Sequence, residues 1–254
     1  MFFDTHAHYD DDWFDEDRRE LLSSMPEKGV GLIVNPGCTL DSSRTAIALA
    51  EAFDHVYAAV GIHPENCHDF ASQHMDVLRE LAQHEKVVAI GEIGLDYYWE
   101  ENPPREFQQQ VLRAQLALAQ ELDLPVIIHD REAHADTLAI VKEFPSLRGV
   151  FHCYSGSVED ARTLVKMGWM VSFNGALTFK NARKAPDVVA DVPLEHLMIE
   201  TDAPYLAPVP YRGKRCDSGY VHLVAEKIAA IKGITAEEVE CITTENGKRF
   251  FGIK

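Results

Sequence analysis

Eight short apolar, β-rich runs recur along the chain, and their alternation with helical segments constrains the fold more than any other feature. They are FFDT from Phe2, GLIVN from Gly31, VYAAVG from Val56, VVAIGEIG from Val87, PVIIHD from Pro125, GVFHCYS from Gly149, WMVSFNG from Trp169 and LMIETD from Leu197. Nearly continuous apolar strands separated by helices read as a parallel sheet covered by those helices. The clearest helix is PPREFQQQVLRAQLALAQELD, opened by Pro103 and Pro104. Asp41 before SSRTAIALAEAF, and Ser157 with Asp160 three residues on, act as start signals. Two helical stretches follow the eighth run, YVHLVAEKIAAIKG and TAEEVECITTENGKRFFG, the second with Thr235 and Glu238 spaced as a capping box. Eight strand–helix units within 254 residues predict an α/β chain folded as a single (β/α)8 TIM barrel with extra C-terminal helices, one domain over residues 1–254.

Composition narrows the function classes. With 46% hydrophobic residues the chain can bury a large core, and it carries no repeat, low-complexity tract or Gly/Ser-rich linker. No apolar run approaches the roughly 18 residues that span a bilayer. The start, MFFDTHAHYDDDWFDED, is acidic where a secretory leader would be basic. The expectation is a soluble, cytoplasmic protein with no membrane partner, and nothing in the sequence marks a stable protein partner. Five scattered cysteines without a Cys-x-x-Cys pair fit reduced thiols. Against 24 basic residues stand 41 acidic ones, a net charge of −17 that repels phosphate backbones unless local cations intervene.

Barrel active sites form at the C-terminal strand ends. The residues expected there are His6 and His8 after the first strand, His63 near the third, Glu92 at the fourth, His129 at the fifth, His152 at the sixth and Asp202 at the eighth. Imidazoles and carboxylates converging on one face suit one or two divalent cations such as zinc or manganese. His6 and His8, two apart on an extended segment, point to the same side and can share an ion, and Glu92 has two oxygens with which to bridge a pair. The other seven histidines fall in helices or loops and read as structural. The acidic run Asp10, Asp11, Asp12, Asp15, Glu16 and Asp17 reads as a solvated helix start. Cys153, next to His152, should point away from the mouth as a buried thiol. Tyr97, Tyr98 and Trp99 either wall a base-stacking surface or pack their loop.

The segments DTHAH, GIHPE, IGEIGLDYY, PVIIHDREA, FHCYSGS, SFNGALTFK, IETDAPYLAP and NGKRFFG together resemble the TatD-type metal-dependent deoxyribonucleases, a branch of the amidohydrolase superfamily, over essentially the full length. The resemblance implies that His6, His8 and Glu92 hold one metal, and Glu92, His129 and His152 a second. It implies that Asp202 contacts metal and water and serves as general base, so that Asp202 and Glu92 are the catalytic pair. His63 and Lys180 correspond to phosphate-contacting positions. It further implies two divalent ions (Mg, Mn or Zn) and 3′ to 5′ exonuclease action on the ends of single-stranded DNA, and in some members RNA. One departure stands out: after GKR, where the family usually has an Asn, an acidic residue and a Pro, this chain has Cys216, Asp217, Ser218 and Gly219.

Against the acidic background, Arg212, Lys214 and Arg215 after the eighth strand read either as a solvated loop or as local phosphate contacts, and Arg131 is a similar candidate. A metal-activated water attacks carbonyl carbon as well as phosphorus, so the rival enzyme reading is hydrolysis of a small ester or of an aminoacyl-tRNA ester. A metal-binding protein without catalysis is a third reading, which the full ligand set disfavours.

Overall fold

In the computed structural model, which describes all 254 residues, the strands are β1 (Phe2–Asp4), β2 (Val30–Pro36), β3 (Val56–Val60), β4 (Val87–Asp96), β5 (Val126–Arg131), β6 (Gly149–Phe151), β7 (Met170–Phe173) and β8 (Leu197–Ile199). The helices are α1 (Arg18–Ser24), α2 (Leu40–Ala52), α3 (Ser72–Leu81), α4 (Arg105–Leu122), α5 (His134–Val141), α6 (Val158–Lys166), α7 (Ala185–Asp191), α8 (Val221–Lys232) and α9 (Ala236–Phe251). All eight strands are parallel and pair in sequence order. The ring is closed by Thr5, whose N–H and Oγ1 both donate to Ile199 O, and by a parallel bridge between Ala7 and Ala203. The Asp4 carboxylate tightens this seam by accepting the Thr201 N–H at 2.9 Å. No helix is long and apolar enough to cross a membrane.

The larger apolar cluster lies between strands and helices, and a smaller one fills the barrel. Phe3, Val34, Ala59, Ala89, Ile127, Val150, Met170 and Met198 supply the inner layer, with Phe250 and Phe251 of α9 packed against it. The two-residue period of a strand then carries each inward file from apolar to polar toward the C-terminal end: Ile127 to His129, Val150 to His152 and Met198 to Glu200; Asp202, beyond the end of β8 and at a φ of +60°, reaches the mouth by its own backbone turn. Strand β4 breaks the period. Its register against β5 shifts between Ile90 and Ile93, and this irregularity lets Glu92 face inward three residues after Ala89.

Start signals are met at α6, where Ser157 Oγ accepts the Asp160 N–H, and at α9, where Thr235 and Glu238 form the box. At α2 the cap is Thr39, not Asp41. Thr39 is extended and its Oγ1 accepts the Ser42 N–H at 3.0 Å, while Asp41 sits in the first turn paired with Arg44 at 2.8 Å. The acidic run is only partly a solvated helix start. Asp11 caps a short 3-10 turn, but Asp10 turns into the barrel mouth and accepts the Asn35 amide at 2.7 Å.

Candidate metal centre

Glu92 is the hub of the mouth, 3% exposed at the floor of a cavity of about 800 Å³. On one side, His6 Nε2 and His8 Nε2 lie 3.0 Å apart, at 3.3 and 3.4 Å from Glu92 Oε2 and 3.8 and 3.7 Å from Asp202 Oδ1. A tetrahedral ion with bonds of about 2.1 Å has ligand–ligand edges of about 3.4 Å, so these separations match a set of donors around one cation. On the other side, Glu92 Oε1 is 2.9 Å from His129 Nδ1 and 2.8 Å from His152 Nε2, with those two nitrogens 3.4 Å apart. The fit is supported by the facing nitrogens themselves: His6 Nε2 and His8 Nε2, 3.0 Å apart, need a shared proton or ion between them.

Hydrogen bonding behind the rings decides which nitrogen is free. His129 Nε2 faces Asp96 Oδ2 at 3.0 Å, which holds a ring proton there, so that an ion taking Nδ1 would displace only the proton shared with Glu92. His152 Nδ1 lies 3.4 Å from Glu200 Oε1, and His8 Nδ1 lies 3.9 Å from Cys38 Sγ. His63 differs. Its Nδ1 accepts the Glu65 N–H at 3.2 Å, so in the neutral ring Nε2 carries the proton, 3.5 Å from Glu92 Oε1. That makes His63 a hydrogen-bond donor into the mouth, although His63, Glu92 and His129 also lie close enough to share a cation.

The electrostatics follow from burial and crowding. Burial would raise the Glu92 pKa, but the imidazoles of His152, His63 and His6 and the bond from His129 hold it well below the usual carboxylate range. Burial lowers His6 to about 4, with His152 adding to the effect, and lowers His63 to about 4, with His129 adding. Burial works against a charged His129, yet its bonds to Asp96 and Glu92 push it up to about 9. Burial, helped by Glu200 and Glu92 and opposed by His152 and His8, raises Asp202 to about 6.

Of the other sequence candidates, Arg131 lines the mouth. Lys180, Arg212, Lys214 and Arg215 do not. Lys180 sits between Phe179 and Asn181, which line a neighbouring cavity of about 330 Å³. Arg212 stacks on Phe179 at 4.3 Å, and Lys214 lies 5.8 Å from the Tyr211 ring. Arg215 pairs with Asp17 at 2.9 Å and packs on Phe14 at 4.9 Å. The divergent loop is built into the wall: Cys216 and Ser218 are buried, and Ser218 bonds Tyr9 through both its N–H and its Oγ. Cys153 is a correction. β6 ends at Phe151, Cys153 takes a φ of +45°, and the strand alternation that would turn its thiol away no longer applies, so it lines the mouth.

The sequence reading missed Asp96, Glu200 and Cys38. Glu200 offered a signal, standing two residues after the inward Met198. It is fully buried, accepting from Cys153 N–H, Ser172 Oγ and Asn174 Nδ2.

The family model described as TatD related DNase matches residues 3–252. The chain belongs to that family. It is 45% identical over 255 residues, covering both chains fully, to a Bacillus subtilis relative named an uncharacterized metal-dependent hydrolase, YabD. It is 38% identical to Escherichia coli YcfH, of the same description, over 98% of this chain and 95% of that one. The crystal structure of the TatD homologue YjjV from Escherichia coli superposes with a TM-score of 0.93 at 32% identity, covering 100% of this chain and 98% of the other. The protein is thus a TatD-family metal-dependent hydrolase with a TIM-barrel fold.

Proposed function

We propose that this member is a two-metal phosphodiesterase that removes nucleotides from the 3′ ends of single-stranded DNA or RNA. The observation that carries the reading is one buried carboxylate, Glu92, with each oxygen facing its own pair of imidazole nitrogens. His6, His8, Glu92 and Asp202 would hold one ion, and Glu92, His129 and His152 the other. Zinc or manganese suits this donor set, and magnesium is a candidate for supporting turnover. Bound there, two divalent ions would supply an acidified water and charge stabilisation for phosphoryl oxygens.

The chain's own residues then have separate tasks. Asp202, held by the Asp202 N–H to His6 O bond at 2.9 Å, presents its carboxylate to the mouth as the group that takes the proton of the attacking water. Asp96 keeps a ring proton of His129 turned away from the centre, and Glu200 sets its carboxylate 3.4 Å behind the His152 ring. His63 Nε2 donates toward a phosphoryl oxygen above Glu92, and Arg131 offers a guanidinium at the rim.

The test is a time course on 5′-labelled single-stranded DNA with metal-reconstituted protein, chelated protein and Asp202→Asn. The reading expects a ladder shortening from the 3′ end that is lost in the other two samples. Intact DNA at full metal occupancy would refute it and favour hydrolysis of a carboxylic ester, the ester linkage of charged transfer RNA included.

A further inference from the structure

Every strongly exposed aromatic side chain of the protein lies on a loop that follows a barrel strand at its C-terminal end. Trp13 follows β1, Tyr98 and Trp99 follow β4, and Tyr205 and Tyr211 follow β8. Four of them form two pairs, Trp13 with Tyr205 at 5.9 Å between ring centres and Tyr98 with Trp99 at 4.7 Å. Because β1 and β8 are neighbours and β4 stands half-way round the ring, the pairs face each other across the mouth. Trp99 and Tyr205 line the same cavity as Glu92.

Neither pair is a loose surface patch. Asp11 fixes the first: its Oδ1 accepts the Trp13 N–H at 2.8 Å and its Oδ2 accepts the Tyr205 hydroxyl at 2.6 Å. Arg215 braces the same loop by donating to Trp13 O at 2.7 Å. Asp96 fixes the second pair, accepting the Tyr98 N–H at 2.9 Å on Oδ1 while Oδ2 faces His129. Arg131 lies over Tyr98 at 3.9 Å and over Trp99 at 5.2 Å, its guanidinium engaged by stacking alone. The charge of the mouth is the other half of the argument. Asp10, Asp11, Glu65, Glu92, Asp130 and Asp202 line it against the single cation Arg131. Even two divalent ions leave no surplus positive charge to track a phosphate backbone.

We infer that the two aromatic pairs are nucleobase platforms on either side of the centre, which grip a single strand by its unpaired bases, with Arg131 as the only Lys or Arg side chain that meets phosphate there. The inference rests on the phosphodiesterase reading and gives it a substrate rule: unpaired bases are needed near the cleaved end, and base identity matters little, because every base has a stacking face.

The test measures anisotropy of a 5′-fluorescein octanucleotide bound to metal-loaded protein, with phosphorothioate linkages to slow hydrolysis. It is paired with the same strand carrying abasic sites at its three 3′-terminal positions. Base–aromatic stacking predicts about 5- to 100-fold weaker binding of the abasic strand. Trp99→Ala and Trp13→Ala should each weaken the intact strand severalfold and shrink the intact-to-abasic ratio, while Trp99→Phe restores most of it. Equal affinity of the wild type for both strands, or alanine variants that leave the ratio unchanged, would overturn the platforms. The two readings fail separately. Cleavage without base-dependent binding removes the platforms and leaves the phosphodiesterase, whereas base-dependent binding without cleavage of any phosphodiester, methyl p-nitrophenyl phosphate included, removes the phosphodiesterase and leaves the platforms.

Discussion

On the two-metal reading proposed above, Asp96→Asn should weaken the ion at His129 and His152 while leaving the ion at His6 and His8 nearly untouched. In the wild type the Asp96 Oδ2 to His129 Nε2 contact at 3.0 Å holds a ring proton on Nε2, so an ion binding at Nδ1, 2.9 Å from Glu92 Oε1, displaces only the proton shared with Glu92. An asparagine keeps the shape but offers its amide N–H toward Nε2 whenever its oxygen keeps the Tyr98 N–H. With an ion at Nδ1 the ring proton must stay on Nε2, where it then meets a donor instead of an acceptor. Losing a carboxylate behind a metal-bound histidine typically costs 10- to 100-fold in affinity or activity, roughly 1.4–2.8 kcal/mol. His6, His8 and Asp202 share no hydrogen bond with Asp96, so their ion should bind within about threefold of wild type. Calorimetric titration of chelated protein with Zn²⁺ or Mn²⁺, checked by a thermal melt, reads both sites. Two unchanged affinities in a folded variant would refute the tautomer argument.

Other consequences follow from specific contacts. A Cβ on Gly94 would stand 1.9 Å from His129 O, so Gly94→Ala must part β4 from β5; about 1–3 kcal/mol should be lost, seen by calorimetry as roughly 2–4 °C in Tm per kcal/mol. His134 Nδ1 lies 2.7 Å from Asp130, and this bond raises its pKa above the ordinary 6.5 despite opposing burial. The pair's stabilisation is therefore complete below about pH 6.5 and is lost as pH rises through the raised value. NMR titration should find the His134 midpoint above 6.5, falling in Asp130→Asn, and a midpoint at or below 6.5 in the wild type would contradict the pairing. If Arg215 braces Trp13 and does not meet phosphate, Arg215→Ala should weaken strand binding without changing its salt dependence, whereas loss of a phosphate contact would flatten the log–log slope by about 0.7.

The barrel was legible because its strands are continuous apolar runs and its helices carry local start signals, both properties of neighbouring residues. The inward-facing polar residues were legible for the same reason: His129 and His152 extend the period of their own strands, and Asp202 follows closely on the eighth. Glu92 was found by its position in the chain, although its inward turn depends on a register shift against β5 that no local pattern encodes. Asp96 escaped notice because its partner is on another strand, and an acid before Tyr98 looks like any loop acid. Arg215 was read by charge alone. Its pairing with Asp17, nearly two hundred residues away, is a product of the closed ring, as is the meeting of Trp13 with Tyr205. Cys153 was misplaced by extending strand alternation past the end of β6.

The account stands on Glu92 bridging two ions, and anomalous diffraction from crystals grown with zinc or manganese tests that directly. It predicts two peaks flanking Glu92, one against His6, His8 and Asp202 and one against His129 and His152. A single peak, or peaks that leave Glu92 unligated, would contradict it.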